Sequence, residues 1–344
     1  MTDQNTQLPR SVLPGLPSGW SVGAVAIAAL VLMPIVAVIW IAFHPSENIW
    51  GHLLATSLPR YATNTGVVMV AVGTLAAMVG TGAAWLVVMY AFPGKRVLEW
   101  ALLMPLAVPG YLGAYALVDF LEYAGPVQTG LRAAFGWSDA RDYFFPDIRS
   151  LYGAIFVLSF SLYPYVYLLA RAAFLEQSGS AHEVARALGA GAFRRFWSIG
   201  MPLARPAIAA GTAIVMMETV NDFGTVDFFG VQTLTTGIFT VWLETSNAGG
   251  AAQIACVILA VILALVALEK VSRRRSRFYG MARSDRVPPV VRLHGRMAWA
   301  VTAACTFPVL AGFVLPVAVL AHHGLTRPER WLAPGLGQAL ANTV

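Results

Sequence analysis

An all-α, polytopic membrane helix bundle is the fold class this sequence predicts, and three observations predict it. Of its 344 residues, 58% are hydrophobic and only 12% are charged, about half the charge of an ordinary soluble domain. The mean hydropathy is +0.66. Seven stretches are uncharged or nearly so over the roughly 20 residues that a helix needs to cross a bilayer.

Residues 1–19 are polar, carry Pro9, Pro14 and Pro17, and read as a short cytoplasmic tail ahead of the first span, Trp20 to Phe43. No short apolar core with a small-residue cleavage site precedes that span, so it reads as a retained helix and not as a secretory signal. The later runs are Asn64 to Ala91, Val97 to Leu121, Leu151 to Phe174, Ala204 to Gly224, Gly249 to Glu269 and Ala298 to Ala321. With a cytoplasmic amino terminus, all 23 Lys and Arg residues except Arg60, Arg132, Arg141, Arg149, Arg327 and Arg330 fall on the cytoplasmic side. Cytoplasmic loops carry such an excess, so the pattern orients the chain. The basic run from Lys270 to Arg277 reads as an anchor beside lipid headgroups; no nucleic acid is implied. Cys256 and Cys305 lie inside apolar runs and suggest neither a disulfide framework nor a thiolate metal site.

Between the fourth and fifth runs lies a polar hairpin, residues 180–206. Ser180 followed by Glu183 is a capping-box pattern that starts a helix. Gly189 and Gly191 interrupt it, and a second short helix over Ala192 to Ile199 precedes Pro202 and Pro206. The sequence Glu183-Val184-Ala185-Arg186-Ala187-Leu188-Gly189, nine further residues, then Ile199-Gly200-Met201-Pro202 resembles the EAA loop of permease subunits in binding-protein-dependent ABC importers. Val184 and Met201 stand where that family usually has alanine and leucine. The resemblance implies the type I ABC importer transmembrane fold, a bacterial inner-membrane location, and a hairpin that docks in a groove of a separate ATP-binding subunit. Glu183, Ala185, Arg186, Leu188, Gly189, Ile199 and Pro202 are the coupling residues it implies. It further implies a periplasmic substrate-binding protein as partner, with the loop of residues 122–150 and its Asp139, Asp142 and Asp147 as a contact.

Ionisable groups at membrane depth are costly and face a protein interior or a water-filled path. Glu218, Asn221 and Asp222 occur in the fifth run, with Asp227 just beyond; Glu218 lies about 21 Å along a helix begun at Ala204. Two readings stay open for them, a translocation path or hydrogen bonding that holds the bundle together. Phe223-Gly224 and Phe229-Gly230 bracket a broken stretch, after which Leu234, Ile238, Val241 and Trp242 recur at helical spacing as an interfacial or re-entrant helix. From Glu218 through Thr235-Thr236-Gly237 to Trp242 the chain resembles ferric iron ABC transporter permeases, which carry two fused repeats. Acidic groups suit a cation. Thiamine, polyamine, sulfate and phosphonate permeases look similar, and a non-ABC carrier or channel relaying ions through Glu218 and Asp222 is the alternative outside the class.

Leu32-Met33-Pro34 resembles Val314-Leu315-Pro316, and Tyr61-Ala62-Thr63-Asn64-Thr65 resembles Ala339-Leu340-Ala341-Asn342-Thr343, which argues for a repeat of about 280 residues. Residues 20–292 are then a first repeat of six spans, and residues 293–344 the start of a second that stops short. A second repeat or subunit becomes an expected partner. No P-loop, zinc-protease, serine-hydrolase or cofactor signature is present, so the expectation is a transporter that is not itself an enzyme and carries no cofactor. His44, His52, His182, His294, His322 and His323 are scattered, and Tyr163, Tyr165 and Tyr167 alternate on the fourth span, where an aromatic interface stripe is the favoured reading and a phenolate site for ferric ion the other.

Overall fold

Apolar runs become helices because a backbone in hydrocarbon finds no water and must satisfy its N–H and C=O groups along its own segment. The computed structural model describes residues 19–177, 179–275, 290–326 and 335–343. Its helices are α1 (Gly19–Phe43), α2 (Trp50–Ala55), α3 (Leu58–Met89), α4 (Lys95–Ala101), α5 (Gly110–Leu121), α6 (Pro126–Phe135), α7 (Leu151–Leu175), α8 (Gly179–Ala187), α9 (Ala192–Arg195), α10 (Met201–Asn221), α11 (Gly224–Phe228), α12 (Leu234–Phe239), α13 (Ala248–Arg275), α14 (Gly295–Val309), α15 (Leu315–Thr326) and α16 (Leu336–Thr343). Among the described residues six helices are long and apolar enough to cross a membrane, or seven if one bent pair is a single span. The expected tail, Arg277, Arg283, Arg286, Arg327 and Arg330 lie outside the described residues.

Two expected elements are corrected. The third run, Val97 to Leu121, is not one straight helix: the limbs Lys95–Ala107 and Gly110–Phe135 meet at 97°. Pro105 and Pro109 have no N–H to continue a helical ladder, and Val108 before Pro109 is extended (φ −107°, ψ 114°) as the proline ring requires. The second helix of the hairpin does not stop at Ile199. α9 continues through a π turn (Phe196–Gly200) into α10, a single helical length from Ala192 to Asn221.

The core is the trio α3, α7 and α10, whose buried side chains include Val72, Ala76, Ala84, Val166, Val215 and the fully covered Tyr163 and Tyr167. The two tyrosines therefore belong to the core and not to an interface stripe; Tyr167 Oη donates to the Glu99 carbonyl at 3.0 Å. Helices in lipid gain from close backbone approach, which small residues permit. A Cβ at Gly80 would fall 2.8 Å from the Tyr163 carbonyl, and one at Gly211 2.8 Å from Val166 Cα.

The later spans wrap this trio. α13 packs on α10, α12 and α1, and no residue in the window of α1 apolar enough to span is buried. The α14–α15 length crosses to α4 and α5. Thr302 Oγ1 donates to the Pro93 carbonyl at 2.9 Å, and His323 Nε2 donates to Asp119 Oδ2 at 3.0 Å. A two-residue parallel pair, β1 (Tyr90–Ala91) with β2 (Val291–Arg292), ties the start of that length to the end of α3.

Candidate functional site

α8 and α9 form a hairpin at one end of the trio. Gly189 closes α8 with φ +80°, the left-handed conformation that a side chain resists. In this turn the Ala190 N–H reaches the Ala185 carbonyl at 2.9 Å and the Gly189 N–H reaches the Arg186 carbonyl at 3.0 Å. Glu183, Arg186, Leu188, Gly189 and Pro202 are exposed; Ala185 and Ile199 are half-buried. The hairpin also holds large apolar side chains in the open, with Leu188 82%, Phe193 77%, Val184 59% and Trp197 52% exposed. A cluster of apolar groups on a polar, charged loop marks an interaction surface. The capping box expected from Ser180 rests on a side chain outside the described residues, and α8 already begins at Gly179.

Beneath the hairpin lies a buried joint that the sequence did not announce. Trp85 of α3 meets Phe174 of α7 (5.3 Å between ring centres), Phe196 (5.1 Å) and His182 of α8 (5.8 Å). His182 Nε2 donates to Gln177 Oε1, and Gln177 Nε2 donates to the Gly200 carbonyl, each at 3.0 Å. A Cβ at Gly200 would meet the Trp85 ring at 2.4 Å, so the π turn brings bare backbone against the indole. Burial and the Arg195 guanidinium hold His182 below the usual imidazole value, and it sits neutral in the joint.

The second constellation is the break after α10. Asp222 leaves helical geometry (ψ 128°) and caps α11. Its Oδ1 accepts the N–H groups of Thr225 and Val226 at 3.0 and 3.1 Å, and its Oδ2 accepts the Thr225 hydroxyl at 3.0 Å. Thr235 Oγ1 donates to the Asp222 carbonyl at 2.8 Å, and Phe223 stacks on Phe239 at 3.9 Å, so α12 folds back on the break. The broken stretch expected between Phe223 and Gly230 is therefore a one-turn helix followed by a positive-φ glycine, Gly230 at +69°.

A cavity of about 350 Å³ opens beside this break. The prolines that bend α4 into α5 form one wall, Ser161 and Tyr165 of α7 another, and Glu218, Asn221 and Asp222 the third. Of the four predicted path residues, the fold brings three to this cavity; Asp227 sits exposed on α11 and does not line it. Glu218 and Asn221 are exposed and Asp222 is half-buried. All the polar side chains of the lining carry oxygen, and none is Lys, Arg or His. Tyr165 and Ser161, one helical turn apart, are the members that a search for charge misses.

At the far end, α6 and the loop after it enclose a second cavity of about 400 Å³ lined by Glu122, Tyr143, Phe144, Asp147 and Arg149, among others. The three loop aspartates shape the loop itself. Asp142 Oδ2 accepts the N–H groups of Ser138 and Asp139, which lower its pKa, Asp139 Oδ1 accepts that of Ala140, and Asp147 Oδ1 that of Arg149.

A bundle of apolar spans that breaks two of its helices around a polar cavity, and carries a helical hairpin at one end, is the architecture of a membrane permease. This chain belongs to the binding-protein-dependent transport system inner membrane component family, whose sequence profile matches residues 70–278. It is 26% identical over 237 residues to an Fe(3+)-transport system permease protein of Haemophilus influenzae, covering 68% of this chain and 42% of that protein. It therefore spans less than half the length of that relative. It is 29% identical over 204 residues to the molybdenum transport system permease protein of Escherichia coli strain K12, covering 56% of this chain and 85% of that one. In fold it is similar to a chain of a bacterial alginate ABC transporter in complex with an alginate-bound periplasmic protein, with a TM-score of 0.60 at 15% identity over 75% of this chain and 96% of that one.

Proposed function

We propose that this chain is the membrane-spanning permease subunit of an ABC importer of a bacterial inner membrane, and that its cargo is ferric iron. The amino terminus is cytoplasmic, and the α8–α9 hairpin faces the cytoplasm. Leu188, Val184 and Phe193 insert there into a separate ATP-binding subunit around the framework of Glu183, Ala185, Arg186, Gly189, Ile199 and Pro202. That subunit hydrolyses ATP. α6 and its loop face a periplasmic binding protein that delivers the cargo. Residues 293–344 begin a second permease repeat, which supplies the other wall of the path.

The observation that carries the cargo reading is the cavity, where Glu218, Asn221, Asp222, Tyr165 and Ser161 gather and no basic side chain joins them. Two carboxylates favour a cation and repel an oxyanion by about 1 kcal/mol per charge pair at 4 Å even in bulk water, more where water is sparse. Carboxylate, phenol and amide oxygens are also hard donors, which suit a small, highly charged cation. The relationship to an iron permease agrees; the relationship to a molybdenum permease does not settle on an anion, because these groups would oppose it. Closing of the ATP-binding subunits drives the hairpins together and rocks the repeats, switching the cavity from one face of the membrane to the other.

Uptake of radiolabelled ferric iron and of molybdate by cells lacking the gene, complemented with the full reading frame, tests the reading. Restored iron uptake that stops on ATP depletion is expected. Restored molybdate uptake instead would overturn the cargo, and uptake that survives ATP depletion would favour an ion-coupled carrier.

A further inference from the structure

Beyond the hairpin that meets the ATP-binding subunit, we propose that His182, bonded through Gln177, is the positioning residue that carries the hairpin's movement into the spans; this rests on the coupling reading above. Among the described side chains of α8 and α9, His182 alone is buried, at 1% exposure. Every other one is exposed or half-covered. An exposed helix resting on its neighbours through one anchored side chain can tilt without moving them, unless that anchor is rigid. Here the anchor is held on two sides, by the Trp85 ring and the Gln177 amide.

The imidazole sits against Trp85, and the same indole is packed by Phe174 and Phe196. The Gln177 amide spans the remaining gap, accepting from His182 with its oxygen and donating to the Gly200 carbonyl with its nitrogen. The chain of contacts thus runs from α8 to the ends of α3 and α7 and the start of α10, which are the helices of the packed trio. α10 in turn carries Glu218 and Asn221, and its end is the Asp222 break at the cavity. Displacement of α8 has a continuous, hydrogen-bonded and close-packed route to the cavity wall, and His182 is its first member.

The test uses the transporter purified with its ATP-binding subunit in liposomes. Cys256 and Cys305 are replaced by Ala, and Asn221→Cys reports cavity access through its rate of reaction with a membrane-impermeant maleimide, with and without ATP. His182→Phe keeps the ring against Trp85 and removes the donor. Gln177→Met keeps the volume and removes both bonds. Loss of one such bond shifts a two-state equilibrium about fivefold. His182→Phe, which loses one bond, is expected to shrink the ATP-dependent change in maleimide rate about fivefold, Gln177→Met, which loses two, by at least as much, and the double variant no further than Gln177→Met, because both act on one linkage. His182→Gln, which can still donate to Gln177, is expected to restore most of the change. Melting temperature and retention of the ATP-binding subunit should stay at the parent values in the rescued variant.

A full ATP response in His182→Phe and Gln177→Met, with the subunit retained, overturns the linkage and leaves the coupling reading standing. Losses that add in the double variant overturn it as well, since they mark two independent packing effects. Failure of the unaltered chain to retain any ATP-binding subunit removes the coupling reading and the linkage with it.

Discussion

At the scale of single residues, the ionisable groups inside this protein divide by what they touch. Asp222 has a structural duty that is visible in its hydrogen bonds: both carboxylate oxygens are taken up by the first turn of α11. Asp222→Asn keeps an acceptor for those N–H groups and removes the charge, whereas Asp222→Ala removes both. The expectation is an unchanged melting temperature but reduced iron uptake for Asn. For Ala it is reduced uptake together with about 1 kcal/mol of lost stability, the usual cost of a missing cap. Uptake at the parent rate in Asp222→Asn would make this residue a cap and nothing more. His182 gives a pH dependence with a definite sign. Unfolded, it titrates near 6.5; folded, its value is lower. Between the two the unfolded chain holds the extra proton, so its contribution is complete above pH 6.5 and is lost as pH falls through the folded value. The loss runs at up to about 1.4 kcal/mol per pH unit. Thermal unfolding from pH 7.5 to 5 should fall more steeply for the parent protein than for His182→Phe, and parallel curves would contradict the buried neutral imidazole.

At the scale of elements, the hairpin was legible because its determinants are local. A glutamate, an alanine and a glycine at short fixed spacing describe a helix and the residue that ends it, and Gly189 does end it, at φ +80°. The extent of the following helix was not legible. Pro202 and Pro206 look like a fresh start, yet Pro202 falls within the first two positions of α10 and the π turn before it leaves the axis unbroken. The bend in the third run was missed for the converse reason. Prolines occur in spanning helices without breaking them, and only the pair Pro105 and Pro109, with extended Val108 between, produces 97°. The packing of α3 on α7 yields a further expectation. Gly80→Val places methyl groups where Tyr163 and Tyr167 backbone atoms already lie within 2.8 Å. It should lower the unfolding free energy by about 1–3 kcal/mol in detergent, with Gly82→Ala, which meets open space, as the near-neutral control.

At the scale of the whole molecule, composition alone foretold the bundle, since a chain so apolar has few other solutions in a membrane. Composition could not foretell which polar residues would meet. Tyr165 and Glu218 are more than fifty positions apart in sequence, and only the packing of α7 on α10 brings them to one cavity. The buried joint is similar: Trp85 and His182 come together through the ends of three helices, and nothing near either in sequence marks it. What unites the two sites is that α10 begins at one and ends at the other, which is the route of the proposed coupling. The most direct test of that coupling is recovery of the ATP-binding subunit with the purified chain, comparing the parent with Leu188→Asp, which places a charge on the most exposed apolar side chain of the hairpin. A hot-spot substitution at the centre of an interface costs about 2 kcal/mol or more, so, with Leu188 in that role, the expected result is a loss of affinity of about thirtyfold with membrane insertion unchanged. Equal recovery of the subunit by both proteins would contradict the role given to α8 and α9.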